Sequence, residues 1–166
     1  RVSVHTRNLQ PHAKGATFDL ITTVEDSLGL LWEGESRMLC RGVKLEGETP
    51  EQSLPTPNTV SELTRWQAPS DIGRRYARVS GDYNPIHLSA LTAKLFGFPQ
   101  AIAHGLWNKA RTVAALHEHL PAANIEIYVE FKKPVRLPGQ VILLSSAPGS
   151  GGELQLKGDG DIEHML

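Results

Sequence analysis

The chain has 166 residues, a length typical of one domain or of two small ones. Hydrophobic residues make up 40% of it and charged residues 21%, so the composition is that of a folded globular protein and excludes wholesale disorder and fibrous repeats. Seventeen lysines and arginines stand against eighteen acidic residues, a formal net charge of −1. Without a basic excess, nucleic acid and acidic membrane surfaces are not expected as partners.

The cellular compartment is indicated by cysteine content and hydropathy. Cys40 is the single cysteine and therefore cannot form an intrachain disulfide. The first ten residues do not resemble a leader peptide, and no stretch approaches the roughly 18 apolar residues that a spanning helix needs. We expect a cytoplasmic protein that does not enter a membrane.

Residues 1–46 are predicted to contain strands only. Residues 2–6 alternate, residues 17–24 are rich in β-branched side chains, and residues 30–39 continue after a turn. Residues 47–60 hold three prolines and little apolar matter, which is typical of a surface connection. The pattern predicts a three-stranded meander followed by a linker.

Two short helices are predicted next. Ile72, Tyr76 and Val79 recur at helical spacing, and Asp71 is placed to cap their helix. A second short helix is predicted over residues 89–96, closed by a glycine. Both should lie within a second domain, residues 61–166.

A longer helix is predicted over about residues 104–120, ended by Pro121. We expect its apolar face to be buried; that face comprises Leu106, Ala110, Val113, Ala114 and His117.

The chain then returns to strands, predicted at residues 125–131, 140–146 and 153–157, and a glycine-rich turn at residues 148–152 is predicted to join the last two. Residues 11–15 and 136–139 each open a long strand in the same way, a weak internal repeat. The first 46 residues therefore resemble the sheet half of a second copy whose helices are not in this sequence.

A short segment between the first two helices contains an aspartate, an asparagine and a histidine within six residues. Asp82 and His87 are five apart and would diverge on a helix, but Pro85 forbids a helix there, so the segment must be a bent loop. In such a loop the two side chains can hold one water between a base and an acid. The alternative is a plain turn in which Asp82 and Asn84 bond local backbone and His87 is simply buried.

The start of the long helix adds a second feature, His104 followed by Gly105. A helix N-terminus offers unpaired N–H groups, and glycine allows close approach of a ligand, as in an oxyanion site. His104 either lines a pocket or packs at the helix start. His117 and His119 point to different faces of a helix, so they do not indicate a metal site.

Residues 80–87, together with the Ala-His-Gly of residues 103–105, resemble the hydratase-2 signature of the MaoC-like dehydratases, the (R)-specific enoyl-CoA hydratases. This resemblance implies an α+β hot-dog fold, in which a curved antiparallel sheet wraps around a central helix, here about residues 104–120. Some members of the family resemble two fused hot-dog units, so residues 1–46 are expected to be a partial first unit.

The resemblance also implies a reaction, the reversible hydration of trans-2-enoyl-CoA to an (R)-3-hydroxyacyl thioester. Asp82 and His87 would be the catalytic pair, while the supporting and substrate-binding residues would be Tyr83, Asn84, His104 and Gly105. No metal or cofactor is expected, because coenzyme A is part of the substrate, and a homodimer is expected. The alternatives are another acyl thioester (branched, dicarboxylic or carried by acyl carrier protein) and a non-catalytic acyl-binding subunit.

Overall fold

A computed structural model of the chain describes residues 1–50, 54–121, 125, 127–146 and 152–166. The chain divides into two compact units, Arg1–Ser53 and Leu54–Leu166. In the described part, no helix is long and apolar enough to cross a membrane. Antiparallel sheets with few helices make the protein α+β, as predicted.

The first unit is the predicted meander. Its strands β1 (Val2–His12), β2 (Gly15–Asp26) and β3 (Gly29–Arg41) are antiparallel and lie in that order. The β2–β3 turn forms because a carboxylate oxygen of Asp26 accepts hydrogen bonds from the main-chain N–H groups of Leu28 and Gly29. Local turn chemistry thus sets the register of two long strands.

An ion pair is buried in the middle of this meander. The Asp19 side chain is fully buried and accepts two hydrogen bonds from the Arg37 guanidinium, at 2.7 and 3.0 Å, and one from Asn8 Nδ2 at 2.7 Å. The hydrogen bonds from Arg37 and Asn8 hold the pKa of Asp19 well below its usual range.

Over the residues described, the second unit contains a four-stranded antiparallel sheet and three helices. The sheet order is β4-β5-β6-β7, and short 3₁₀ turns span Pro85–His87, His117–His119 and Asp159–Asp161. The elements in chain order are β4 (Ser61–Ala68), α1 (Ile72–Ser80), α2 (Ala90–Lys94), α3 (Gly105–Ala115), β5 (Gly139–Ser145), β6 (Leu154–Gly158) and β7 (Ile162–Met165).

The core of the second unit is formed by the inward residues of the sheet and by the segments that flank the start of α3. Val141 and Leu143 alternate along β5 and are fully buried, as is Leu156 on β6. Ala103 N–H donates to the carbonyl of Val135, which ties the residue before His104 to this core. The entry into α3 is therefore fixed by packing as well as by hydrogen bonds.

Strands β4 and β7 were not predicted from the sequence. In β4, Trp66 and Ala68 are buried two residues apart, but the register shifts between Glu62 and Thr64. A β-bulge of this kind interrupts the period of two on which strand prediction depends.

The predicted strand at residues 125–131 was wrong. Over its described residues only Phe131 makes a β-bridge, to Met165, and the neighbouring Glu130 exchanges two main-chain hydrogen bonds with Leu166. This segment lies beside β7 at the edge of the sheet and pairs there only around residues 130–132. Alternation in the sequence predicted a half-buried strand, but in the part of the chain that is described the segment has no partner strand of matching length, and Ile125, Ile127 and Phe131 are exposed.

The predicted bounds and buried face of the long helix were also wrong. Helix α3 ends at Ala115 instead of residue 120, and Leu106 on the apolar face is 61% exposed. Of the other predicted face residues, Ala110, Ala114 and His117 are exposed and Val113 is half-buried. The buried face of α3 instead carries polar residues, among them Asn108 and Thr112. Periodicity shows which residues share a face, but not which face meets the chain's own core.

The two short helices occur where predicted, with differences in detail. The Ser89 hydroxyl caps α2, and Gly97 follows it with a φ of +82°. In α1, however, Asp71 makes no side-chain cap and Val79 is 84% exposed. The buried face of α1 is narrower than the apolar spacing indicated. The predicted turn at residues 148–152 lies outside the described residues except for its last one.

Candidate active site

The loop after α1 is bent, as predicted, and local hydrogen bonds hold the bend. Gly81, with a φ of +75°, ends the helix. Asp82 Oδ1 then accepts from the N–H of Asn84 at 3.1 Å, and the Asn84 side chain accepts from the N–H of Ile86. Asp82 and Asn84 thus make the local hydrogen bonds of a plain turn. The chain that follows this turn leads to His87, which is buried.

His87 is buried and has a defined tautomer. The residue is 8% exposed, and its Nδ1 lies 2.8 Å from the carbonyl oxygen of Ile102. Because a carbonyl can only accept, Nδ1 must carry the proton, and Nε2 of the neutral ring keeps a free lone pair. Burial lowers the pKa of His87 below its ordinary 6.5, and the Ile102 bond opposes this only in part. His87 is therefore a neutral imidazole at neutral pH, with one nitrogen available as a base.

His104 belongs to the same cluster. The residue is 3% exposed, and its ring stacks on that of His87 with centroids 3.7 Å apart and planes 26° from parallel. His104 Nε2 is 3.0 Å from the carbonyl oxygen of Asp82 and 3.8 Å from its Oδ2. His104 therefore packs at the helix start, against His87 and the Asp82 loop, and its lining of a substrate pocket stays a prediction.

The cluster therefore consists of one half-exposed carboxylate and two buried imidazoles. Nitrogen or oxygen atoms of Asp82, His87 and His104 lie within 4.8 Å of one another, close enough to hold one small polar molecule between them. The same spacing is compatible with a metal ion, although one nitrogen of each imidazole is already bonded to main chain. The expectation of a metal-free site stays a prediction.

The N-terminus of α3 adjoins this cluster, since His104 is its N-cap residue. The His104 side chain makes no capping hydrogen bond, so the first N–H groups of the helix are not occupied by their own N-cap residue. A Cβ at Gly105 would lie 3.1–3.3 Å from ring atoms of Phe131, so a larger residue there would require that ring to shift slightly. Tyr83 is 58% exposed, at the surface of the loop.

Sequence reasoning missed two residues that hold the His87 loop in place, Gly73 and Arg74 on α1. A Cβ at Gly73 would collide with the carbonyl oxygen of His87. Arg74 Nη1 donates to the carbonyl of Leu88 at 2.8 Å. The signal in the sequence was a glycine inside a helix, where it is unfavourable unless the backbone needs space.

Comparisons with known proteins identify the family and the fold. A family model described as MaoC like domain matches residues 43–147. The chain is 38% identical over 162 residues to 3-hydroxyacyl-thioester dehydratase X of Mycobacterium tuberculosis, covering 94% of this chain and 56% of that protein. It is 40% identical over 81 residues to 3-hydroxybutyryl-CoA dehydratase of Methylorubrum extorquens, covering 47% of this chain and 52% of that one. The chain thus spans about half the length of these relatives.

Among solved structures, the crystal structure of HtdX from Mycobacterium tuberculosis matches with a TM-score of 0.72 and 30% identity, over 99% of this chain and 63% of that one. The hot-dog fold class predicted from the motif is confirmed by this similarity. The match covers both the meander and the second unit, since it takes in nearly every residue.

Proposed function

This chain belongs to the MaoC-like domain family, and we propose that it catalyses the reversible hydration of trans-2-enoyl thioesters, enoyl-CoA in particular, to (R)-3-hydroxyacyl thioesters. The observation that carries the proposal is that ligand atoms of Asp82, His87 and His104 lie within 4.8 Å of one another beside the N-terminus of α3, while His87 Nδ1 is bonded to the carbonyl of Ile102. The names of the Mycobacterium and Methylorubrum relatives, both dehydratases of 3-hydroxyacyl thioesters, support it.

The pair would act on one water molecule. Hydroxide equivalent adds to C3 of the enoyl group, and the pair takes up the water's proton and returns one proton to C2. Asp82 and neutral His87 are both proton acceptors in the resting site, so either can serve as the base. Because the proton removed is balanced by the proton returned, the reaction needs no cofactor.

Helix α3 would stabilise the charge that develops on the thioester oxygen. The N–H of Gly105 is the first of the helix and lies at the positive end of its dipole. One well-placed donor of this kind is worth roughly 3–4 kcal/mol of transition-state stabilisation. In this proposal Asn84 supports the loop, and Tyr83 and His104 line the substrate-binding surface.

The partner we propose is a second copy of this chain. The exposed apolar residues of α3, Leu106, Ala110 and Ala114, would be covered in a homodimer.

The test is a hydration assay with crotonyl-CoA, following the loss of enoyl-thioester absorbance. We expect Asp82→Asn and His87→Ala each to lose about 10²- to 10⁴-fold in rate. His164→Ala is the matched control, because His164 is also buried and its Nδ1 also lies 3.0 Å from a main-chain carbonyl, that of Lys133. That control should retain activity if it remains folded.

A rate unaffected by both Asp82→Asn and His87→Ala would refute the assignment of the pair. If the parent is inert on crotonyl-CoA, branched, dicarboxylic and acyl-carrier-protein thioesters are tested next. Binding of all of these without turnover would indicate an acyl-binding subunit.

A further inference from the structure

Three buried polar side chains form a row along one face of α3. His104, Asn108 and Thr112 are each four residues apart and are 3%, 5% and 2% exposed. Residues at this spacing lie above one another on a helix, with Cβ atoms about 6 Å apart. The face of α3 turned toward the interior is therefore polar over two turns, beginning at the candidate active site.

Each residue of this row has an atom without a hydrogen-bond partner among the described residues. These atoms are His104 Nδ1, Asn108 Oδ1 and Thr112 Oγ1. Trp66 Nε1, on β4, is buried and unpartnered in the same sense. The guanidinium carbon of Arg111 lies 5.0 Å from the centroid of the Trp66 ring, which places the indole next to this part of α3.

Nearly all buried polar groups in proteins are hydrogen-bonded, because leaving them unpaired is unfavourable. The unpartnered atoms here include a pure donor, the Trp66 indole N–H, and a pure acceptor, Asn108 Oδ1, while the Thr112 hydroxyl can do either. A ligand that satisfies this set must both donate and accept. An acyl chain does neither, and water does both.

We propose that a file of ordered water molecules binds along His104, Asn108 and Thr112 and delivers water to the catalytic pair. This inference rests on the proposed function, in which one water is consumed in each hydration. The Cβ atoms of neighbouring residues in the row are about 6 Å apart. One water molecule can bridge side chains at this spacing, because it makes two hydrogen bonds of about 3 Å each. Buried waters of this kind typically make about three hydrogen bonds to buried polar groups.

One end of the row adjoins the catalytic pair and the other end adjoins a cavity. At the inner end, the His104 ring stacks on His87, whose free nitrogen is the candidate base. At the outer end, Thr112 lines a cavity of about 420 Å³ in the second unit, together with Lys109 and Leu116. The row therefore begins beside the catalytic pair and ends at this cavity.

The first test is structural and does not depend on activity. In a crystal structure of the full chain at a resolution that shows ordered water, we expect water oxygens within about 3.2 Å of Asn108 Oδ1 and of Thr112 Oγ1. The proposal is overturned if these atoms are bonded to protein groups instead, or if no water lies beside them.

The second test is kinetic and uses substitutions that keep the shape of the side chain. Thr112→Val removes the hydroxyl, and we expect it to lower kcat for hydration about tenfold with KM for enoyl-CoA unchanged, as for the loss of one hydrogen bond. Thr112→Ser keeps the hydroxyl and should restore the rate. Thr17→Val is the matched control, because Thr17 Oγ1 in the first unit is also buried and unpartnered.

A Thr112→Val variant as fast as the parent would overturn the delivery role, as would an equal loss in Thr17→Val. If the parent hydrates no enoyl thioester, the proposed function fails, and the ordered waters of the first test still decide whether the row binds water.

Discussion

At the scale of single residues, the site depends on which atom of each side chain is already bonded. Main-chain carbonyls hold one nitrogen of His87 and one of His104, so the orientation of both rings is set by backbone that lies far from them in sequence. One carboxylate oxygen of Asp82 accepts a hydrogen bond within the turn, and the Asp82 side chain is 55% exposed. The remaining free atoms define the chemistry that the cluster can perform.

The buried position of His87 predicts a pH dependence. Its pKa lies below the ordinary 6.5, so the ring is neutral above that pH and becomes charged only as the pH falls through the lowered pKa. We expect kcat/KM for hydration to be constant near neutral pH and to fall on an acid limb whose midpoint lies below 6.5. A pH series of initial rates measures it, and an acid midpoint above 6.5 would contradict a requirement for neutral His87.

The ion pair in the first unit predicts a stability effect. Arg37→Ala leaves the buried Asp19 charge with Asn8 as its remaining side-chain donor, and we expect the free energy of unfolding at pH 7 to fall by about 2 kcal/mol. Because the pKa of Asp19 is lowered, the pair's contribution is present at neutral pH and is lost as the pH falls below 3.8.

Chemical denaturation monitored by tryptophan fluorescence would measure this loss. The control is Arg7→Ala, since the pair between Arg7 and Glu35 is about half-exposed on both sides and should contribute less than about 1 kcal/mol. Equal effects of the two substitutions would show that burial of Asp19 does not matter.

At the scale of elements, the candidate site is held by a helix that contributes no catalytic group. Helix α1 approaches the His87 loop through Gly73, and Arg74 bonds to the residue after His87. Tyr76 on the same helix places its ring 5.0 Å from that of His104. Helix α1 therefore acts as a support whose distance from the loop determines where His87 stands.

This support predicts the effect of Gly73→Ala. The added methyl group collides with the His87 carbonyl, so the loop must move, and small displacements of a catalytic group are costly. We expect kcat to fall about 10- to 100-fold with a smaller change in KM. Steady-state kinetics would separate the two parameters.

Gly158→Ala is the matched control for this substitution. A Cβ at Gly158 also collides with a buried histidine, His164, but on β6 and not at the loop. It should lower the melting temperature without a comparable loss of kcat. If Gly73→Ala is as active as the parent, α1 does not position His87.

At the scale of the whole molecule, the polarity of the two faces of α3 is the reverse of that expected for a surface helix: the buried face is polar and the exposed face is apolar. The buried face carries Asn108 and Thr112, while Leu106 and its apolar neighbours are exposed. Exposing an apolar helical face to water is unfavourable in free energy. Association with another chain buries that face and removes the unfavourable term.

The homodimer proposal predicts a mass of twice the 18.2 kDa of one chain in sedimentation equilibrium. Ala110→Glu would place a charge on the apolar face of α3 and should shift the population toward single chains. Asp71→Asn, on α1, is the control and should leave the mass unchanged. A parent that sediments as a single chain at all concentrations would refute the homodimer.

The predictions that succeeded depend on neighbours along the chain. The meander, the bent loop from Asp82 to His87 and the glycine at the start of α3 all follow from turn chemistry, proline geometry and helix capping, which act within a few residues. The predictions that failed concern contacts between elements that are distant in sequence. The bulged β4, the short edge contact of Phe131 and the end of α3 depend on partners that periodicity does not reveal.

The sequence by itself determined that Asp82 and His87 share one bent loop, since Pro85 forbids any helix that would separate them, and the motif they form indicated the family. Only the tertiary structure decided that His104 stacks on His87, that Gly73 lies beneath the loop, and that the polar face of α3 is the buried one. The physical reason is that these contacts join residues on separate elements, so they are set by packing of the whole unit and not by local preference.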